Sequence, residues 1–168
     1  IQKKSIFASV KASVSEMILI LKKNIPYRHF EIGFMFYGFS FMLTMTVITI
    51  YFYEALNLNY ASVAFYRNIS NILVIILLPF FGRLISHIDP RKFAVITFSS
   101  ITLYIFFLMI TSYFPSHFEF LDVTIYYTLL LYILFHGIFA ATMVLLWNIG
   151  SAYFCKPNEA GTYQSLHL

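Results

Sequence analysis

The sequence predicts an all-α fold: a polytopic transmembrane helical bundle of four spans, preceded by an N-terminal amphipathic cytoplasmic helix. Two observations support this prediction. The chain contains four long apolar stretches that are almost free of charge, and 10 of its 11 Lys and Arg residues lie outside them. Long apolar runs indicate membrane spans, and the placement of the basic residues indicates their orientation.

Each apolar stretch is long enough to cross a bilayer. Residues 32–53 and 93–114 contain no charged residue, residues 61–81 contain only Arg67, and residues 123–155 contain His136 as their one imidazole. A hydrocarbon core of roughly 30 Å needs about 20 helical residues. The fourth stretch, at 33 residues, exceeds that need, so we expect it to tilt, kink or project from the membrane.

The basic residues are confined to alternate connections. Ten of them lie before the first span, between the second and third, or after the fourth: Lys3, Lys4, Lys11, Lys22, Lys23, Arg28, Arg83, Arg91, Lys92 and Lys156. The connections 54–60 and 115–122 contain none. By the positive-inside rule, the N-terminal segment, the middle loop and the C-terminal end are expected in the cytoplasm, and the two acidic loops outside.

Three regions are expected along the chain. Residues 1–30 form a cytoplasmic linker, in which apolar residues recur at helical spacing and predict an amphipathic helix at the membrane interface. A linker with some helical content is the alternative. Residues 31–156 carry the four spans, and residues 157–168 form a cytoplasmic loop and the start of a further helix. We therefore expect the chain to be a fragment of a larger protein.

Composition argues against several functions. The chain is 60% hydrophobic and 11% charged, which is the composition of a membrane protein. Its net charge of +4 therefore indicates contact with anionic cytoplasmic lipid rather than nucleic-acid binding. Its five histidines are far apart, and it lacks nucleotide-binding and hydrolase motifs. We expect no catalytic residue, metal or cofactor, and hence no enzyme. The single cysteine, Cys155, excludes an internal disulfide.

Polar residues within the spans are the candidates for function. Arg67, Asn68 and Asn71 share one helical face, which either lines a substrate pathway or joins one helix to its neighbour through hydrogen bonds. Arg67 lies about two turns from the outer end of its span, so it is either a pathway residue or an interfacial anchor. Glu54 and Asp122, on the outer loops, are its candidate ion-pair partners.

The fourth span adds three further candidates. His136 lies near its middle and either relays protons or packs as a neutral hydrogen-bonding residue. Gly137 beside it, with Ala141, forms a notch of small residues that another helix can approach closely. Trp147 and Asn148 lie further along, where they either contact substrate or belong to the inner interfacial belt.

The connection 82–92 carries a resemblance. It resembles the cytoplasmic loop motif of the major facilitator superfamily, which runs roughly G-x-L-x-D-R-x-G-R-R/K. Gly82, Leu84 and Arg91 match this pattern. Ser86 stands in place of the acid, His87 in place of the arginine and Asp89 in place of the glycine. The resemblance implies a cytoplasmic gating loop, with these candidate residues: Gly82, Arg83, Asp89, Arg91 and Lys92.

Two further segments extend the resemblance over nearly the whole chain. Residues 31–38 are similar to the start of the seventh helix of such transporters, and residues 147–154 with 159–164 to the tenth helix and its cytoplasmic exit in bacterial members. The four spans would then be helices seven to ten of twelve, in a bacterial inner membrane.

The resemblance implies secondary transport of a small solute by alternating access. The implied partners are the lipid bilayer, the remaining helices of the transporter, the small-molecule substrate and, as one option, protons. The alternative is a non-transport membrane scaffold or assembly subunit. The sequence indicates neither the substrate nor the direction of transport.

Overall fold

A computed structural model describes residues 6–167, with side chains from residue 10 onward. The described residues form the following elements: α1 Ile6–Lys23, α2 Ile25–Ile50, α3 Tyr60–Ile85, α4 Pro90–Ile110, β1 His117–Phe120, β2 Val123–Tyr126, α5 Tyr127–Ile149 and α6 Ala160–His167. A π-helical segment, Tyr51–Ala55, continues α2, and a 3₁₀-helix, Gly150–Phe154, continues α5. The chain divides into two compact units: residues 43–150 form one, and the described residues outside that range form the other.

Within residues 6–167, four helices are long and apolar enough to span a membrane, which confirms the predicted fold class. They cover Ile25–Ala55, Tyr60–Ile85, Pro90–Ile110 and Tyr127–Phe154. The first begins at Ile25 rather than at residue 32. Pro26 is compatible with this start, because it lies in the first turn, where the backbone N–H groups have no partner within the helix. The side chain of Asn24 accepts the N–H of Tyr27 at 3.1 Å, so the break between α1 and α2 is a single residue.

Helix α5 is the central helix of the unit formed by residues 43–150. It packs against both α3 and α4, and Leu129 and Leu146 on it are fully buried. At Gly137, α5 lies close to α3, since a Cβ added there would lie 2.5 Å from Cδ2 of Leu73. The small-residue notch predicted at Gly137 is therefore a helix contact.

The connection between α4 and α5 contains a β-hairpin that was not predicted from the sequence. Strand β1 (His117–Phe120) pairs antiparallel with β2 (Val123–Tyr126). The turn residues Leu121 and Asp122 have φ angles of 48° and 61°, the signature of a type I′ turn. The prediction of helix from residue 123 is thus wrong: β-branched residues favour the strand, and the helix begins at Tyr127.

Side chains of α3 bind the outer edge of this hairpin. The register leaves the backbone groups of Thr124 and Tyr126 facing away from β1. The Tyr66 hydroxyl donates to the Thr124 carbonyl at 3.0 Å and accepts the Tyr126 N–H at 2.9 Å. The Ser62 hydroxyl accepts the Thr124 N–H at 2.9 Å and donates to Oδ1 of Asn59, the N-cap of α3. One helical turn thus satisfies a strand edge that would otherwise be unpaired.

The other unit is held by polar contacts of α2, and of Asn24 just before it, with α6. Asn24 donates to the Tyr163 hydroxyl at 3.1 Å, and the Tyr27 hydroxyl donates to the Tyr163 carbonyl at 2.8 Å. The Glu31 carboxylate lies 3.0 Å from Nδ1 of His167. Tyr27 is fully buried, so these contacts lie among packed aromatic rings.

Helix α1 presents apolar residues to its surroundings. Val10, Val14 and Ile18 follow one another at a spacing of four, and each is about half exposed, between 48% and 56%. Lys22 and Lys23 occupy its last turn. Lys3 and Lys4, which belong to the predicted basic segment, lie outside the described residues.

Candidate functional site

The unit of residues 43–150 forms a partly open cavity of about 230 Å³. Side chains from α2, its π-helical continuation, α3, α4 and α5 line it: Met45, Ile48, Thr49, Phe52, Tyr66, Arg67, Ser70, Asn71, Tyr104, Tyr132 and His136. Every apolar span of the unit contributes at least one residue. The cavity is therefore a product of the helix packing rather than of one loop.

The face of α3 that lines the cavity has a clear helical phase. The cavity is lined by the adjacent pair Tyr66 and Arg67 and, one helical turn later, by the adjacent pair Ser70 and Asn71. Asn68 does not line it, because it lies about 100° further round the helix than Arg67. Of the predicted polar stripe, Arg67 and Asn71 therefore face the cavity.

Arg67 approaches a hydroxyl rather than an acid. Its Nη2 lies 3.4 Å from Oγ1 of Thr49, whose own hydroxyl donates to the Met45 carbonyl at 3.0 Å. Among the described residues, neither Glu54 nor Asp122 forms an ion pair with Arg67.

His136 lies against aromatic rings at the inner wall of the cavity. Its ring stacks on Tyr132 with centroids 5.5 Å apart and meets Tyr104 edge-on at 5.3 Å. Nδ1 of His136 is buried without a hydrogen-bond partner in the part of the chain that the structure describes. His136 thus lines the cavity with hydrogen-bonding capacity that no described side chain uses.

Sequence reasoning missed three tyrosines that line the cavity: Tyr66, Tyr104 and Tyr132. All three are buried, with exposures of 1%, 2% and 6%. The available signal was their helical spacing, since Tyr132 precedes His136 by one turn and Tyr66 adjoins Arg67. Tyrosine is so common in this chain that spacing alone did not separate them from lipid-facing residues.

Trp147 and Asn148 are not brought to the cavity. Three helical turns, about 16 Å, separate Trp147 from His136 along α5. The Asn148 amide donates to the Val144 carbonyl at 2.7 Å, one turn back on its own helix. Both side chains are exposed.

The loop between α3 and α4 is built on helix-capping contacts. Asp89 is the N-cap of α4: its carboxylate accepts the Arg91 N–H at 2.7 Å, with Pro90 following as the first helical residue. The Ser86 hydroxyl donates to the Arg83 carbonyl at 2.7 Å and so closes the end of α3. The one carboxylate of this loop thus stabilises the start of the next helix. Arg83, Arg91 and Lys92 are exposed.

No metal-binding chemistry is evident in the described part of the chain, because no three His, Cys, Asp or Glu side chains cluster there. Cys155, beyond the last span, is also a poor nucleophile. Burial and the negative charge of Glu159 raise the pKa of its thiol above the ordinary value, so little thiolate is present at neutral pH.

The fold and the cavity define a polytopic helical membrane protein with a polar site between its spans. The sequence model of the Major Facilitator Superfamily matches residues 2–167, nearly the whole chain, so the protein belongs to that superfamily. Its members are transporters rather than enzymes. The chain is therefore an integral membrane transport protein in contact with the lipid bilayer, and the family implies a small-molecule substrate. Comparison with curated proteins and with solved structures gave no match.

Proposed function

We propose that these spans form part of a secondary transporter that moves a small solute by alternating access, with the 230 Å³ cavity as its substrate pathway. One observation carries this proposal. Arg67, Asn71 and His136 converge on the cavity, and the only hydrogen bond that any of their side chains makes within the described residues is the 3.4 Å contact of Arg67 with Thr49.

Polar side chains that serve only helix packing would be hydrogen-bonded to one another, since an unpaired polar group in an apolar region costs about 1–3 kcal/mol. Nδ1 of His136 is buried and has no such partner among the described residues, and the exposed side chain of Asn71 has none either. A solute that enters the cavity would supply the missing partners. This favours the pathway interpretation of the polar stripe over helix joining and over a scaffold role.

The orientation follows from the basic residues. In this proposal the loop from Gly82 to Lys92 and both ends of the chain lie in the cytoplasm, and the β-hairpin lies outside. The exposed apolar stripe of α1, flanked by lysines, lies along the cytoplasmic face of a bacterial inner membrane. Further helices of the same transporter complete the two halves that rock about the site.

The loop between α3 and α4 acts as the cytoplasmic gate in this proposal. Asp89 is committed to capping α4, so the exposed Arg83, Arg91 and Lys92 are available to bind partner groups in one of the two conformations. Such contacts would be broken and remade in each transport cycle. They would therefore favour one conformation over the other rather than contact the solute.

The direct test is solute flux in vesicles that contain the complete protein, against a panel of solutes. We expect Arg67→Ala and Asn71→Ala to depress uptake per transporter about tenfold each, without lowering membrane abundance. Asn158→Ala is the matched control, because Asn158 is exposed, lies outside the spans and lacks a side-chain hydrogen bond among the described residues. Unchanged uptake in the two cavity variants would refute the assignment of the pathway.

Proton coupling through His136 is a second proposal, which rests on the placement of its ring at the cavity wall. His136→Gln keeps a hydrogen-bonding side chain but cannot carry a proton at physiological pH. We expect this variant to retain exchange of solute across the membrane and to lose the acceleration that an imposed pH gradient gives. If the variant still responds to the gradient like the wild type, the proton moves elsewhere.

A further inference from the structure

The cavity has an unbalanced set of charges. Arg67 is the one permanently charged side chain among the described residues that line it, and none of the lining residues is an acid. The acidic residues of the chain all lie elsewhere: Glu16, Glu31, Glu54, Asp89, Glu119, Asp122 and Glu159. A cationic solute would therefore meet like charge on these spans and find no carboxylate on them to bind.

The hydrogen-bonding groups of the cavity also favour an anionic solute, because several of them are donors without a protein acceptor. The Asn71 amide and the hydroxyls of Tyr104 and Tyr132 can each donate a hydrogen bond, and none has a protein acceptor within the described residues. The Tyr66 hydroxyl is different, because it already donates to the hairpin. The cavity thus offers several free donors around one cation, which suits a solute rich in acceptors.

A guanidinium favours one chemistry among such solutes. Its planar array of five N–H donors matches the two oxygens of a carboxylate, and charge-assisted pairs of this kind are about twice as strong as neutral hydrogen bonds. Thr49 occupies only Nη2, at the long distance of 3.4 Å, so most donors of Arg67 remain available. A cation in an apolar region is also costly without a partner, and a bound anion would supply that partner.

The size and the walls of the cavity limit the rest of the solute. At about 230 Å³, the part of the cavity that these spans form lies below the roughly 300–1,000 Å³ typical of sites for drug-sized ligands. Phe52, Met45 and Ile48 supply apolar surface next to the polar groups. The site therefore suits a small molecule with one charged end and a short apolar body.

We propose that the cavity binds a small organic monocarboxylate, with its carboxylate on Arg67 and its apolar part against Phe52 and the tyrosine rings. This inference rests on the proposed transport function and specifies the class of its substrate. A lipid phosphate could use the same guanidinium, so the test must separate a solute from a lipid headgroup.

The experiment measures uptake of matched acids and amides by the complete transporter in phosphatidylcholine vesicles at pH 7.5, relative to vesicles without protein. The probes are lactate with lactamide, benzoate with benzamide, and benzylamine as a cation of similar size. Each acid differs from its amide in charge and hardly in volume. The variants are Arg67→Gln, Arg67→Lys and the control Lys156→Gln, which removes a positive charge outside the spans.

We expect at least one acid to be taken up about tenfold faster than its amide, and benzylamine not to be taken up. Arg67→Gln should abolish the preference, Arg67→Lys should keep part of it, and Lys156→Gln should keep all of it. Equal uptake of acids and amides, uptake of benzylamine, or an acid preference that survives Arg67→Gln would overturn the anion inference while transport itself stands.

Two other outcomes would also overturn it. Reduced incorporation of Arg67→Gln into vesicles, with an unchanged ratio of acid to amide uptake, would assign Arg67 to a lipid phosphate. An absence of protein-dependent uptake for these probes and for a wider panel of neutral solutes would refute the proposed transport function, and the substrate class with it.

Discussion

Replacing Tyr66 with phenylalanine removes one hydroxyl group and leaves the ring that lines the cavity. That hydroxyl makes two hydrogen bonds to β2, to the Thr124 carbonyl at 3.0 Å and from the Tyr126 N–H at 2.9 Å. Tyr66 is 1% exposed, so water does not replace the lost partner freely. The substitution therefore tests whether α3 holds the hairpin in place.

The expected magnitude follows from the two bonds. Each contributes about 0.5–1.5 kcal/mol net, so we expect the loss of both to destabilise the hairpin by about 2 kcal/mol. A difference of 2 kcal/mol is a factor of about thirty in the local opening equilibrium. The Thr124 N–H keeps its bond to Ser62, so the strand should loosen without unfolding fully.

Amide hydrogen exchange, followed by mass spectrometry, measures this opening directly. We expect peptides that cover Val123–Tyr126 to exchange about thirtyfold faster in Tyr66→Phe, with little change in α4 or α5. Tyr113→Phe is the matched control, because Tyr113 is 81% exposed and its hydroxyl makes no hydrogen bond among the described residues. Exchange at β2 that is the same in both variants would refute the anchoring of the hairpin by α3.

Three other predictions concern single positions. Gly137→Ala should lower the free energy of unfolding by about 1–3 kcal/mol, because its Cβ would meet the side chain of Leu73, whereas Gly38→Ala, which has open space around it, should be neutral or slightly stabilising. Thermal unfolding in detergent compares the two variants, and equal midpoints would contradict the close approach of α5 to α3. Leu121→Asn should stabilise the hairpin by about 1 kcal/mol, since asparagine tolerates the positive φ of 48° better than leucine; slower amide exchange in β1 and β2 would show this, and faster exchange would oppose it. Because the pKa of its thiol is raised, Cys155 should react with maleimide more slowly at pH 7.5 than an ordinary surface thiol, and its reaction should become faster as the pH rises. A rate equal to that of a free thiol peptide would contradict the raised pKa.

Hydropathy predicted the membrane spans because lipid imposes one requirement on every residue of a span. The four apolar stretches became four helices, and Arg67 and Asn71 were identified because one helix determines which of its residues share a face. The departures occur where that requirement ends. Residues Val123–Tyr126 carry no charge and continue the apolar run of the helix that follows them, so hydropathy merged strand and helix, although their β-branched side chains carried the correct signal.

The rest of the cavity could not be predicted because it depends on contacts between helices. Thr49 approaches Arg67 from α2, and Tyr104 meets His136 from α4. Nothing within one helix specifies which residue of a neighbour it will meet. Trp147 shows the converse: it was a reasonable candidate by residue type, but its position along α5 places it too far from the cavity.

The central claim is that four helices cross a bilayer with the hairpin outside and the loop between α3 and α4 inside. Labelling of introduced cysteines in intact cells tests it, with Leu121→Cys at the exposed turn of the hairpin and His87→Cys in the exposed loop, both in a Cys155→Ser background. We predict that a membrane-impermeant maleimide labels the Leu121→Cys protein in intact cells and the His87→Cys protein only after permeabilisation. Labelling of both positions from one compartment would contradict the account.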